Sequence, residues 1–150
     1  MARHYAQAFG VSDTDLFAAC THLQAPRGRM QFVGRSQKGA SVYVDYAHTP
    51  DALDNALVAL RAHLPTDGNL SVLFGCGGNR DAGKRPEMGK LAAAKADYVF
   101  VTDDNPRQED AASIRAAILK ACPDALEVGD RGEAIGAIID AAQSDDIVLL

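Results

Sequence analysis

Cysteine is scarce in this sequence, and its placement excludes two common ways of stabilising a small domain. The 150 residues contain three cysteines, Cys20, Cys76 and Cys122, which are odd in number, far apart and without a Cys-x-x-Cys pair. The four histidines show no metal-ligand spacing either. The sequence therefore predicts neither a disulfide framework nor a metal site.

Excess positive charge and long hydrophobic runs are also lacking. The formal net charge is -5 and no basic stripe is present, which argues against a nucleic-acid partner. No apolar run approaches the roughly 20 residues of a membrane span, and the first residues do not resemble a signal peptide. These absences predict one cytoplasmic domain without membrane insertion.

Short apolar runs alternate with one-faced helical patterns from about residue 42 onward. Continuous apolar runs are typical of strands that are buried on both faces of a parallel sheet. We therefore predict an α/β fold, a Rossmann-like and mainly parallel sheet with helices on both faces, preceded by short helices. The predicted strands are 42–44, 70–74, 98–102, 126–128 and 147–150, and the predicted helices are 3–9, 12–20, 51–64, 86–96, 111–121 and 132–143.

Two features flank this alternating region. Residues 30–33 and 41–44 are extended segments on either side of a polar turn, which predicts a hairpin.

The sequence stops at Leu150 within an apolar run. Since domains rarely end inside a core strand, we expect further sequence after this residue.

Three loops follow predicted strands and carry most of the unusual polar residues: 45–51, 75–85 and 102–107. The carboxyl ends of parallel strands meet at one edge of a sheet, where open α/β folds bind their ligands. The sequence therefore predicts a site built from these three loops.

The glycine-rich loop 75–85 matches no complete phosphate-binding motif. Arg80 stands where a dinucleotide fingerprint needs glycine, and Arg85 stands where a P-loop needs the serine or threonine that holds magnesium. What remains is a glycine-rich turn before a helix, with Arg80, Lys84 and Arg85 nearby, which favours an anion. The alternative is that the glycines serve tight turns and the basic residues are solvated.

The other two loops carry side chains suited to a nucleotide and to a carboxylate. Asp45 ends a strand, as acidic residues that bind ribose hydroxyls do. His48 alone is more often a structural hydrogen-bonding residue. In the third loop Asn105 can turn back on the backbone, Pro106 fixes φ, and Arg107 offers a planar fork that fits a carboxylate.

Four motifs occur in order and carry a family resemblance. They are Gly28-Arg-Met30, Asp45-Tyr-Ala-His-Thr-Pro-Asp51, Phe74-Gly-Cys-Gly-Gly-Asn-Arg-Asp-Ala-Gly-Lys-Arg-Pro86 and Thr102-Asp-Asp-Asn-Pro-Arg107. The sequence resembles the C-terminal domain of the Mur ligases, which form amide bonds in peptidoglycan synthesis. This resemblance implies that residues 1–25 are the tail of a central domain and that 26–150 are a C-terminal domain, truncated at its end.

The resemblance implies an ATP-dependent mechanism that is shared with absent domains. ATP converts a carboxylate of UDP-MurNAc-L-Ala-D-Glu to an acyl phosphate, which the incoming amine attacks. By resemblance Arg29 and Asp45 hold the ribose of ATP, and His48 lies near the nucleotide. The phosphate loop, the Mg2+ ligands and the catalytic residues belong to the central domain, so the fragment alone is expected to be inactive.

The resemblance also implies an amino-acid subsite. The Asp-Asn-Pro-Arg form is associated with meso-diaminopimelate, and the residues implied to contact it are Arg80, Asp104, Asn105 and Arg107, with Lys84 assisting. Diaminopimelate differs from lysine by one carboxylate, which an arginine fork can pair with. The competing hypothesis is a stand-alone α/β module that binds a small anion without catalysis.

Overall fold

A computed structural model describes residues 9–22 and 26–150, so the helix predicted over 3–9 lies almost entirely outside the described residues. The sequence yields one six-stranded sheet and five described helices. The strands are β1 (Gln31–Arg35), β2 (Ser41–Val44), β3 (Leu70–Phe74), β4 (Tyr98–Val101), β5 (Leu126–Glu127) and β6 (Ile147–Leu149). The helices are α1 (Asp13–Cys20), α2 (Pro50–Arg61), α3 (Lys84–Lys95), α4 (Ala111–Leu119) and α5 (Arg131–Ala141).

The strand order in the sheet is β1-β2-β6-β3-β4-β5. The predicted hairpin is confirmed, because β1 and β2 pair in antiparallel register. The other pairs are parallel: β6 pairs with both β2 and β3, β3 with β4, and β4 with β5. The predicted mainly parallel α/β sheet is therefore confirmed, with β6 in its interior.

Helices cover both faces of the sheet, as predicted. One core cluster contains Leu57 of α2, Met88 of α3 and Ile118 of α4. The second cluster lies on the opposite face and contains Ile138 of α5. Strands β3, β4 and β6 contribute buried residues to both clusters because successive side chains point to opposite faces, and all five residues of β3 are buried.

Helix α2 shows how local sequence places an element next to the site. Thr49 caps its first turn by accepting a hydrogen bond from the Ala52 N–H at 3.3 Å, and Pro50 occupies its first position. The predicted apolar face is correct for three buried leucines, at positions 53, 57 and 60. Leu64, predicted on the same face, instead follows the end of the helix, since the residue before Pro65 disfavours helical backbone.

The caps of the shorter helices also follow from sequence. Ser12 accepts a hydrogen bond from the Asp15 N–H at 3.1 Å, so the predicted start of α1 is confirmed. Asp110 and Asp130 cap α4 and α5 in the same way. Among residues 9–22 and 26–150, no helix has the length and apolar character to cross a lipid bilayer.

Candidate functional site

The three polar loops meet at the carboxyl edge of the sheet, as the strand–helix order predicted. Each follows one of the parallel strands β2, β3 and β4. Lys84 Nζ donates a hydrogen bond to the His48 carbonyl at 2.7 Å, and the Gly78 N–H donates to the Asn105 carbonyl at 2.9 Å. These contacts join the glycine-rich loop to both of its neighbours and make one site.

The glycines of the middle loop allow its backbone to touch the loop after β4. A Cβ atom at Gly75 would lie 2.4 Å from the Thr102 carbonyl oxygen, and one at Gly78 would lie 1.9 Å from the Pro106 carbonyl oxygen. Neither contact can be relieved by a side-chain rotation because both neighbours are backbone atoms. These two glycines therefore allow the two loops to pack closely against each other.

Arg107 is held in an uncommon backbone conformation that directs its side chain across the glycine-rich loop. Its φ is +52°, its N–H donates to Asn105 Oδ1 at 3.1 Å, and its Nη1 donates to the Gly78 carbonyl at 2.7 Å. Within the described part of the chain, no carboxylate pairs with this guanidinium. Most of the fork is thus available to a ligand, and Asn105 lies exposed beside it.

The loop after β2 is tied to the turn before β1. Asp45 Oδ2 accepts a hydrogen bond from the Met30 N–H at 2.7 Å, and the Tyr46 N–H donates to the Gly28 carbonyl at 2.7 Å. Met30 has a φ of +42° and Gly28 a φ of +68°, so the turn is sharply folded around this carboxylate. One oxygen of Asp45 is thereby used structurally, and Oδ1 is left for a ligand.

The exposed side chains of Arg29, Tyr46 and His48 lie next to one another at this loop. The Arg29 guanidinium carbon lies 5.3 Å from the centroid of the Tyr46 ring, and the Tyr46 and His48 ring centroids are 5.0 Å apart. Tyr46 is 64% exposed although such a ring usually seeks burial. Sequence reasoning singled out Arg29 and His48 but missed Tyr46, for which an aromatic residue within a strand-end loop was the available signal.

An open cleft of about 200 Å³ lies beside the loop after β2, and Arg107 is not among the residues that line it. Asp45, His48 and Asp104 all line it, as does Arg131 at the start of α5, which the sequence analysis did not select. The cleft lies over the carboxyl ends of β2, β6 and β3, with Phe74, Leu149 and Leu150 among its walls. A polar rim above an apolar floor is typical of small-ligand sites.

The three basic residues of the middle loop have three different environments. Arg80 is exposed, and the described residues offer it no hydrogen bond or ion pair. Lys84 lies against the His48 loop. Arg85, expected in a basic rim, is instead buried, and its Nη2 pairs with Glu109 Oε2 at 2.8 Å. Only Arg80 and Lys84 therefore remain for an anion at this loop.

Hydrogen bonds lower the pKa of two carboxyl groups next to the site. The Asn79 N–H and then the Arg85 guanidinium hold the pKa of Glu109 below its ordinary value of 4.5. The Ser113 hydroxyl and N–H hold the pKa of Asp110 below 3.8. By contrast, burial raises the pKa of the Cys76 thiol, which stays protonated near neutral pH and is a poor nucleophile.

These shifts predict acid sensitivity of the fold. The pKa values of Glu109 and Asp110 are lower in the folded state than in the unfolded state. Their contribution to stability is therefore complete above about pH 4.5 and is lost as the pH falls through the folded-state pKa values. Urea unfolding between pH 7 and pH 3 should show a smaller acid loss for a Glu109→Gln/Asp110→Asn variant. Asp97 is unchanged in this variant and maintains part of the pH dependence of stability. Burial opposes ionisation of its carboxyl group, but Arg61 and the Leu70 N–H still lower its pKa. An equally steep loss in the variant would contradict the prediction.

Comparison with known proteins places this chain in a family. Residues 28–150 match the family model described as Mur ligase, glutamate ligase domain. The chain belongs to the Mur ligase family, as its motifs predicted.

Within the Mur ligase family, relatives that share one name are similar to this chain. UDP-N-acetylmuramoyl-L-alanyl-D-glutamate--2,6-diaminopimelate ligase from Zymomonas mobilis is 59% identical over 133 residues, covering 89% of this chain and 27% of the relative. The Rhizobium meliloti protein of the same name is 46% identical over 150 residues, covering 100% of this chain and 30% of the relative. The chain thus spans less than a third of the length of these relatives.

Solved structures agree with this placement. A structure of UDP-N-acetylmuramoyl-L-alanyl-D-glutamate--2,6-diaminopimelate ligase superposes with a TM-score of 0.73 at 38% identity, covering 97% of this chain and 30% of that chain. FolC from E. coli, solved in complex with ADP, superposes with a TM-score of 0.70 at 22% identity, covering 93% of this chain and 31% of that chain. At that identity the second match supports the fold alone.

Proposed function

We propose that this chain belongs to a cytoplasmic, ATP-dependent ligase that adds meso-diaminopimelate to UDP-MurNAc-L-Ala-D-Glu in peptidoglycan synthesis. The observation that carries the proposal is the 59% identity to the Zymomonas mobilis ligase of that specificity. In this proposal residues 26–150 form the C-terminal domain of the enzyme, and residues 1–25 are the tail of the domain before it.

The amino-acid subsite of the proposal is centred on Arg107. Its guanidinium uses Nη1 for the Gly78 carbonyl and keeps its other donors for the distal carboxylate of diaminopimelate. Asn105 lies beside it, Arg80 supplies a second exposed cation, and Asp104 supplies an acceptor for an ammonium group. Lysine lacks the distal carboxylate and would leave the fork unpaired, so the site would reject it strongly.

The nucleotide subsite of the proposal is formed by Arg29, Asp45 and His48. Asp45 Oδ1 accepts from a ribose hydroxyl while Oδ2 stays on the Met30 N–H. Arg29 and His48 flank the exposed Tyr46 ring and extend this side of the cleft. Lys84 holds the His48 carbonyl, so its contact is with the nucleotide side, and its role in binding the amino acid stays a prediction.

The reaction proposed for the whole ligase proceeds through an acyl phosphate made with ATP, which the amine of diaminopimelate attacks. The described residues contain no group of three or more histidine, cysteine or acidic side chains that could hold a metal ion. The family resemblance assigns the Mg2+ ligands and the phosphate-binding loop to the rest of the ligase. The contribution of this domain is to bind and orient the two substrates by closing over them.

The test is ATP-dependent ligation by the full-length ligase that contains this chain, with the 150-residue chain assayed in parallel. We expect the ligase to add meso-diaminopimelate and to discriminate strongly against lysine, and we expect no ligation by the chain alone. Ligation by the isolated chain would overturn the division of roles. Tight diaminopimelate binding by the chain, together with no ligation by the longer protein, would instead identify a binding module.

A further inference from the structure

Glu109 connects three segments that meet beside the amino-acid subsite. Its N–H donates to the Pro106 carbonyl at 3.0 Å and so closes the turn that contains Arg107. Its Oε1 accepts a hydrogen bond from the Asn79 N–H at the end of the glycine run. Both carboxylate oxygens accept from Arg85 Nη2, at 2.9 and 2.8 Å, in the first turn of α3.

Arg85 makes this connection rigid. Its side chain is 7% exposed and its Nε has no hydrogen-bond partner in the described part of the chain, so Glu109 is the group that compensates the buried charge. Removing one partner of such a pair is costly because it leaves a buried charge uncompensated. The position of the Glu109 carboxylate is therefore fixed relative to α3.

The connection continues from Glu109 to the guanidinium of Arg107. Asn79 has a φ of +51°, and its Oδ1 accepts from the Gln108 N–H at 3.1 Å, so it is held at both its backbone and its side chain. The preceding residue, Gly78, supplies the carbonyl that accepts from Arg107 Nη1 at 2.7 Å. The carboxylate of Glu109 thus fixes the residue adjacent to the carbonyl that orients Arg107.

From this geometry we infer that Glu109, together with Arg85, is a positioning residue for amino-acid recognition and determines how the Arg107 fork meets the distal carboxylate. The inference rests on the proposed function and deepens it. Neither side chain is among those proposed to touch the substrate. Since a displacement of about 1 Å in a binding group can cost up to roughly 100-fold, loss of the pair should weaken recognition of diaminopimelate specifically.

The chain offers a matched control at the opposite edge of the sheet. Asp97, just before β4, also pairs with an arginine and accepts from a backbone N–H: Arg61 Nη1 and the Leu70 N–H both lie 2.7 Å from Asp97 Oδ2. Asp97→Asn therefore removes one arginine pair and one backbone hydrogen bond far from the site, around the exposed Arg61. A purely structural role for Glu109 would lower the melting temperature without a selective rise in the diaminopimelate KM.

The experiment compares Glu109→Gln, Asp97→Asn and an Arg85→Met/Glu109→Gln double variant in the full-length ligase. The double variant removes both charges and keeps the buried volume filled, so the fold is retained even if the single change unfolds it. For each protein the KM for meso-diaminopimelate, the KM for ATP, the kcat and the preference over lysine are measured, with a melting curve to check folding.

We expect both Glu109 variants to raise the diaminopimelate KM roughly 10- to 100-fold and to weaken the preference over lysine, while the ATP KM changes less than about twofold. Asp97→Asn should leave all of these parameters unchanged. Equal increases in both KM values, or an unchanged diaminopimelate KM in the folded double variant, would overturn the inference. Failure of the unsubstituted ligase to add diaminopimelate would instead overturn the proposed function, so the two failures are distinguishable.

Discussion

Replacing Arg107 by alanine in the full-length ligase is expected to raise the KM for meso-diaminopimelate by roughly 30-fold to several thousand-fold, with ATP binding unchanged. The estimate follows from the cost of removing one member of a hydrogen-bonded charge pair, about 2–5 kcal/mol. Arg107→Lys should recover only part of the loss, because an ammonium keeps the charge and lacks the planar fork. Steady-state kinetics with each substrate varied in turn provides the measurement.

Arg61 provides the control for this substitution. It is an exposed arginine at the opposite edge of the sheet, so Arg61→Ala should leave both KM values unchanged. A diaminopimelate KM that does not respond to Arg107→Ala would remove Arg107 from the amino-acid subsite. An equal rise in the ATP KM would indicate that Arg107 maintains the whole edge of the sheet.

The second large effect is expected for Gly78→Ala. The new methyl group would lie 1.9 Å from the Pro106 carbonyl oxygen and 2.7 Å from its carbon, so the two loops must separate. Overpacking against backbone that cannot rotate away should lower the free energy of unfolding by about 3 kcal/mol. Separation also breaks the hydrogen bond from Arg107 Nη1 to the Gly78 carbonyl, so recognition of diaminopimelate should be lost as well.

Gly136→Ala is the matched control for this change. Gly136 lies within α5, and a Cβ atom there would meet nothing within 4 Å. Alanine is the better helix former, so this variant should be more stable by up to about 1 kcal/mol. Urea unfolding of the chain and its two variants gives both values. Gly78→Ala with the stability of the unsubstituted chain would mean that the loops are not in contact.

The sequence predicted most elements because their signals are local. Apolar spacing identified Leu53, Leu57 and Leu60, and the uninterrupted apolar run of β3 marked a strand that is buried on both faces. The position of β6 between β2 and β3 was not predictable in this way. Strand order depends on pairing between distant segments, whereas periodicity reports only which side of an element is buried.

The site was predicted at the level of loops and less well at the level of side chains. The order of strands and helices was enough to bring Asp45, Arg80 and Arg107 to one edge. The burial of Arg85 was not predicted from the sequence. Arg85 nevertheless lies at helical spacing from two other buried residues of α3, Met88 and Ala92. Its partner Glu109 gave no signal, since no fixed spacing relates two residues on different loops.

The interior position of β6 has a consequence for how the chain is made. Its partners in β2 lie more than a hundred positions earlier in the sequence, and those in β3 more than seventy. A ribosome adding 5–20 residues per second needs roughly 4–15 s to pass from β3 to β6. Throughout that interval the facing edges of β2 and β3 have no partner strand and are open to pairing with other chains. Slower translation of residues 75–146 should therefore increase aggregation of the nascent chain more than the same delay after β6.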